Sequence, residues 1–135
     1  MRLIIKPNKL FSIFLFLSTL ISGQVLAGFE EALEAYTRGD QKAAFEGFRA
    51  AAETGDIRAF GKLGGMYLYG VGTERDYARA YIWFGLADAA GDQYGGRFQK
   101  AASSMLEPGQ LPGLVHEIEE YRKDFGLADS DAAGK

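Results

Sequence analysis

Residues 76–92 read DYARAYIWFGLADAAGD, and residues 40–56, which lie 36 positions earlier, read DQKAAFEGFRAAAETGD. Laid together, Asp40 pairs with Asp76, Ala44 with Ala80, Phe48 with Phe84, Ala51 with Ala87, Gly55 with Gly91 and Asp56 with Asp92. A fixed period of this size marks a stacked repeat, in which one small unit recurs and buries its apolar face on its neighbour. Arrays of this kind present extended binding surfaces.

Working outward, the apolar spacing is helical almost throughout. Phe29, Ala32, Leu33 and Tyr36 fall at i, i+3, i+4 and i+7 and predict one stripe of a first helix, ended by Gly39. Asp40 is a good N-cap for a second helix carrying Ala44, Phe48, Ala51 and Ala52, stopped by Thr54-Gly55. Ala59, Leu63, Met66 and Tyr67 predict a third helix that runs into the loop Gly70-Val71-Gly72-Thr73. Asp76 caps a fourth with Ala80, Trp83, Phe84 and Ala87, closed by Gly91. Tyr94, Phe98, Ala101, Ala102, Met105 and Leu106 suit a fifth. Pro108 and Pro112 bracket the start of a sixth, with Leu111, Leu114, Val115, Ile118, Tyr121 and Phe125 as its apolar face and Glu117, Glu119, Glu120 and Lys123 opposite. No stretch alternates apolar and polar residues as a half-buried strand would.

The two ends read differently. Arg2, Lys6 and Lys9 precede an apolar run from Leu10 to Ile21, and Val25-Leu26-Ala27 supplies the short residues of a cleavage site. That layout predicts a secretory signal over 1–27, cut after Ala27. The rival reading is a retained membrane anchor, but the run of about 12 residues falls short of the roughly 20 that a spanning helix needs. The chain has no cysteine, so lipid attachment through a cysteine is excluded, as are a thiol nucleophile, a zinc–cysteine site and disulfides. Residues 28–126 then form one repeat domain, and the small polar residues of 127–135 predict a disordered tail. The whole chain carries a net charge of −3, which becomes −6 once the three cations of the signal are removed. Nucleic acid and stable attachment to anionic membrane are therefore poor expectations for partners.

Residues 59–92, AFGKLGGMYLYGVGTERDYARAYIWFGLADAAGD, resemble the Sel-like repeat (SLR), a relative of the tetratricopeptide repeat. The family pattern is matched by Ala59, Leu63-Gly64, Tyr67, Gly70 and Gly72, Asp76, Ala80, Trp83-Phe84, Ala87 and Gly91. Thr73 and Asp88 depart from it, Gly47 stands where the first repeat would have tryptophan, and the third repeat keeps little of the motif. The resemblance implies an all-α fold: a short right-handed α/α solenoid of stacked antiparallel helix pairs with a C-terminal capping helix. It also implies a binding groove on the concave side, lined by the first helix of each pair. Matching positions are Arg58, Gly61, Gly65, Leu68 and Tyr69, then Tyr94, Arg97 and Met105 one period on, and Glu30, Glu34 and Arg38 before. Of these, Glu34, Arg38, Arg58, Leu68, Tyr69, Tyr94 and Arg97 are the partner-binding candidates.

Chemistry has little to stand on. His116, the one histidine, sits among Glu117, Glu119 and Glu120 and reads as a solvated surface residue. The serines after residue 27 are Ser103, Ser104 and Ser130, none in a nucleophile elbow and none with the histidines a triad needs. Gly61-Lys62 and Gly64-Gly65 lack the spacing of a phosphate loop. The expectation is a non-enzyme with no catalytic, cofactor or metal site: an exported, periplasmic or secreted scaffold that binds a protein or peptide in a bacterial envelope. The alternative is a cell-wall-associated enzyme or peptidoglycan-binding factor. Self-association is a further expectation, because an array this short buries little core.

Overall fold

A computed structural model describes residues 28–127; the expected signal segment, and all of the expected tail except Leu127, lie outside the described residues. Residues 28–37 are helical and form α1. They are followed by α2 (Gln41–Glu53), α3 (Ile57–Tyr69), α4 (Tyr77–Ala89), α5 (Gly95–Ser103) and α6 (Leu111–Asp124). There is no strand among the described residues. The fold is the all-helical stack of pairs that the repeat predicts.

The echoed Gly-Asp dipeptides explain the period. The N–H groups of Asp40, Asp56 and Asp92 donate to the carbonyls of Ala35, Ala51 and Ala87, five residues back, at 2.9, 3.0 and 2.9 Å. The preceding glycines, Gly39, Gly55 and Gly91, take positive φ, as this helix ending requires. The side chains of the same aspartates act in the other direction along the chain. Asp40 accepts from the Ala43 N–H, Asp56 from Arg58 and Asp92 from Tyr94, at 3.2, 3.1 and 2.8 Å. One dipeptide thus closes a helix and opens the next segment.

The turn within the better repeat is built differently. Gly70 adopts the left-handed conformation at the end of α3, and Asp76 caps α4 through the Arg79 N–H at 2.9 Å. Gly72 has φ +71, and a β-carbon there would overlap the Gln41 carbonyl. The Gly-x-Gly loop is therefore pressed against the start of α2, which ties the first helix pair to the second.

α4 is the central helix. Ile82, Trp83, Phe84, Gly85, Leu86 and Ala87 are all buried, because α3, α5 and α6 each pack against it. A helix surrounded in this way carries no single apolar stripe. Aromatic rings join the layers. Phe84 stacks on Phe98 of α5 with centroids 5.1 Å apart. Phe60, Trp83, Tyr121 and Phe125 form a run across α3, α4 and the end of α6, with neighbouring centroids 5.5–5.7 Å apart. In the first pair, Gly47 replaces the tryptophan of the pattern because a β-carbon there would press on Ala32 Cβ at 2.6 Å. α1 and α2 meet where the later pair places a large ring.

Several positions on the expected apolar stripes are exposed. Tyr36 is 49% exposed, and Leu111 and Val115 lie open on α6, which has no further helix beyond it among the described residues. Met105 and Leu106 fall after the end of α5 rather than on it, and Met105 is exposed. Conversely, Arg122 is buried on α6 and pairs with Glu119 at 3.0 Å. Leu127, the first residue of the expected tail, packs against the core, and its N–H donates to the Arg122 carbonyl at 2.9 Å.

Candidate functional site

The first helices of the pairs, α1, α3 and α5, border two clefts that meet along α3. The cleft between α1 and α3 holds about 200 Å³ and is lined by Tyr36, Phe48, Gly61, Lys62, Gly65, Met66, Tyr69 and Val71. The cleft between α3 and α5 holds about 230 Å³ and is lined by Arg58, Gly61, Lys62, Phe84, Asp92, Tyr94, Gly95 and Phe98. Gly61 and Lys62 belong to both, so the two form one groove divided by α3.

The helical spacing of α3 produces this groove. Arg58, Gly61, Gly65 and Tyr69 follow one another at three- and four-residue steps and occupy one face. The opposite face, with Ala59, Phe60, Leu63 and Tyr67, is in the core. Gly61 and Gly65 leave the α3 backbone bare at the groove floor. Tyr69, 61% exposed, and Tyr94, 51% exposed, stand at its rim.

The anticipated partner-binding residues divide into three groups. Arg58, Tyr69 and Tyr94 line the groove. Glu34 and Arg38 lie outside both clefts and face each other across 3.7 Å on the exposed side of α1. Leu68 is half-buried against the core, and Arg97 is exposed on α5; neither lines a cleft.

Arg58 is more tightly held than its exposure suggests. It bonds Asp56 at 2.7 Å and Glu30 at 3.0 Å, and its guanidinium lies 4.2 Å from the Phe29 ring centroid. The Arg58 side chain, and then its N–H, hold the Asp56 carboxyl below the usual carboxylate range, against the opposing effect of burial. Arg58 thus joins α1 to α3 as well as lining the groove.

Tyr36, Lys62 and Asp92 are groove residues that sequence reasoning missed. Lys62 lies 5.8 Å from the Tyr36 ring centroid and makes no ion pair within 4 Å among the described residues. Its position four residues after Arg58 was the available signal.

On the far side, α2, α4 and α6 border a polar cleft of about 260 Å³ that includes Arg49, Glu53, Arg79, Glu117 and Tyr121. Its cations are already engaged: Arg49 by Glu46 and Glu53 at 2.7 and 3.2 Å, and Arg79 by the Tyr67 hydroxyl at 3.1 Å. Burial, followed by the Glu117 and Glu53 carboxylates, pushes the Tyr121 phenol up, and Arg79 opposes them. His116 is exposed on α6, 3.5 Å from Glu120. Among the described residues no three His, Asp or Glu side chains are placed to share a metal ion.

A curated protein shares the repeat. Over 57 residues the chain is 44% identical to an uncharacterised Sel1-like repeat-containing protein of Schizosaccharomyces pombe, a match that covers 38% of this chain and 9% of that protein. Over that stretch the chain is similar to a Sel1-like repeat protein. The chain spans under a tenth of the length of this relative. No protein-family model matches the chain, and no solved structure matches it significantly. The repeated positions, Ala44 and Ala80, Phe48 and Phe84, Ala51 and Ala87, are all buried. The groove residues on α3 are not part of that echo.

Proposed function

We propose that this chain is a non-catalytic Sel1-like repeat scaffold that holds a protein or peptide in the groove formed by α1, α3 and α5. The observation that carries this reading is the groove itself. It is open, it is floored by two glycines, and exposed tyrosines surround it together with Lys62, which makes no ion pair among the described residues. Tyrosines of this kind are frequent anchors of protein interfaces. Each cleft is smaller than the roughly 300–1,000 Å³ of small-molecule pockets and suits a single side chain. The remaining anticipated residues, Glu34, Arg38, Leu68 and Arg97, would act as a periphery.

The place of action is part of the same proposal. Residues 1–27 direct export and are cleaved after Ala27, so the scaffold works in the periplasm or outside the cell. No helix among the described residues is long and apolar enough to cross a membrane. The net charge of −6 after cleavage disfavours nucleic acid as a partner.

The test is capture of a crosslinked partner from native cells, comparing the natural chain with a Lys62→Ala, Tyr69→Ala, Tyr94→Ala triple variant. Arg58 is left in place because it also ties α1 to α3. The expected result is loss of the captured protein with an unchanged melting temperature. Undiminished capture would overturn the groove reading. Direct binding to purified cell wall by both proteins would favour the cell-wall alternative instead.

A further inference from the structure

We infer that the cleft between α1 and α3 accepts one aromatic or long aliphatic side chain of a partner protein, set beside an aspartate or glutamate whose carboxylate pairs with Lys62. This inference rests on the scaffold reading and narrows it to a residue pair.

Gly65 is the starting point. It sits inside α3, where glycine is less favourable than alanine. Most helical glycines of this chain make room for a neighbour. A β-carbon on Gly64 would meet Phe84, one on Gly47 would meet Ala32, and one on Gly85 would meet Ile118 and Gln99. At Gly65 a β-carbon would meet nothing within 4 Å. The missing side chain therefore serves no contact within the fold. It deepens a cleft of about 200 Å³ whose other walls are mainly apolar, including Tyr36, Met66, Tyr69 and Val71.

Charge fixes the second half. Among the described residues Lys62 is the only charged one lining this cleft, and no carboxylate lies within 4 Å of it. Its ammonium stays near the Tyr36 ring at the edge, a weak cation–π contact that leaves it open to an anion. A partner segment that places an apolar side chain on the Gly65 floor brings its neighbouring residue to this lip. A carboxylate there gains a partner, whereas a lysine meets like charge.

The probes are three nine-residue peptides on a serine–glycine background: a central phenylalanine flanked by glutamate, the same flanked by lysine, and a central serine flanked by glutamate. Binding is read as amide shifts of the isotope-labelled full chain. The phenylalanine–glutamate peptide is expected to shift Lys62, Gly65, Tyr69 and Val71, with at least tenfold weaker binding by the other two. Gly65→Leu should abolish the shifts, and Lys62→Glu should reverse the flank preference. Gly65→Ala should weaken binding while its melting temperature stays equal or rises. Absent shifts, equal binding of both flanks, undiminished binding by Gly65→Leu or a lowered melting temperature for Gly65→Ala would each overturn the inference. If these fail while the groove triple variant still loses its captured protein, the scaffold reading stands and only this cleft assignment falls.

Discussion

Gly64 lies beneath the ring of Phe84, so closely that a β-carbon on it would stand 3.0 Å from Phe84 Cδ1. The contact joins α3 to α4 at the middle of the better repeat, and both residues belong to its packing pattern. Gly65 beside it faces the groove. Two adjacent glycines therefore serve opposite ends, one making a contact in the fold and one leaving a surface open.

Gly64→Ala should destabilise the domain, because the Phe84 ring is buried and has little room to give. Overpacking of this kind typically removes about 1–3 kcal/mol. Chemical denaturation checks it, with Gly65→Ala as the neighbouring control that should lose nothing.

Trp83→Ala should remove about 3–5 kcal/mol, the usual range for truncating a buried aromatic ring to alanine. Trp83 lies between Phe60 and Tyr121, so the loss also loosens α6. Denaturant melts monitored by helical circular dichroism read it directly.

Much of this architecture was legible in the chain. The Gly-Asp pairs at 39–40, 55–56 and 91–92 announce helix ends in chemical terms, and each makes the turn it promises. Burial was harder to read where helical spacing carries no information about neighbours. Phe45, Phe60, Ile82 and Leu86 are buried although none falls on an expected stripe, and α4 is covered on nearly every side. Leu111 and Val115 fit an apolar stripe, yet no element among the described residues covers them. The groove was half legible. Register with the repeat found Arg58, Tyr69 and Tyr94; Lys62, one turn after Arg58, could have been found by helical spacing, whereas Tyr36 enters the groove only because α1 and α3 meet in space.

Gly72→Ala should be more harmful than its place in a loop suggests. The backbone there is left-handed at φ +71, which costs a residue with a β-carbon about 1–2 kcal/mol, and the new atom would also overlap the Gln41 carbonyl. A lowered melting temperature with unchanged helical content at low temperature is the expected outcome.

Acid should weaken the link between Asp56 and Arg58. Asp56 has a folded-state pKa below its ordinary value, so its contribution is fully present above the unfolded value of about 3.9 and fades as pH falls through the lower folded value. Asp56→Asn keeps a capable N-cap but removes the charge. The difference in melting temperature between the natural chain and this variant should be largest near neutral pH and shrink below about pH 4.

The most direct test of the groove as the working surface is site-specific photo-crosslinking in native cells, with a benzophenone amino acid placed at Tyr69, at Tyr94 or at His116. Tyr69 and Tyr94 stand at the groove rim, whereas His116 is exposed on α6 away from it. The expected result is the same protein adduct from positions 69 and 94 and none from position 116. Adducts from 116 alone, or equal adducts from all three, would contradict the account.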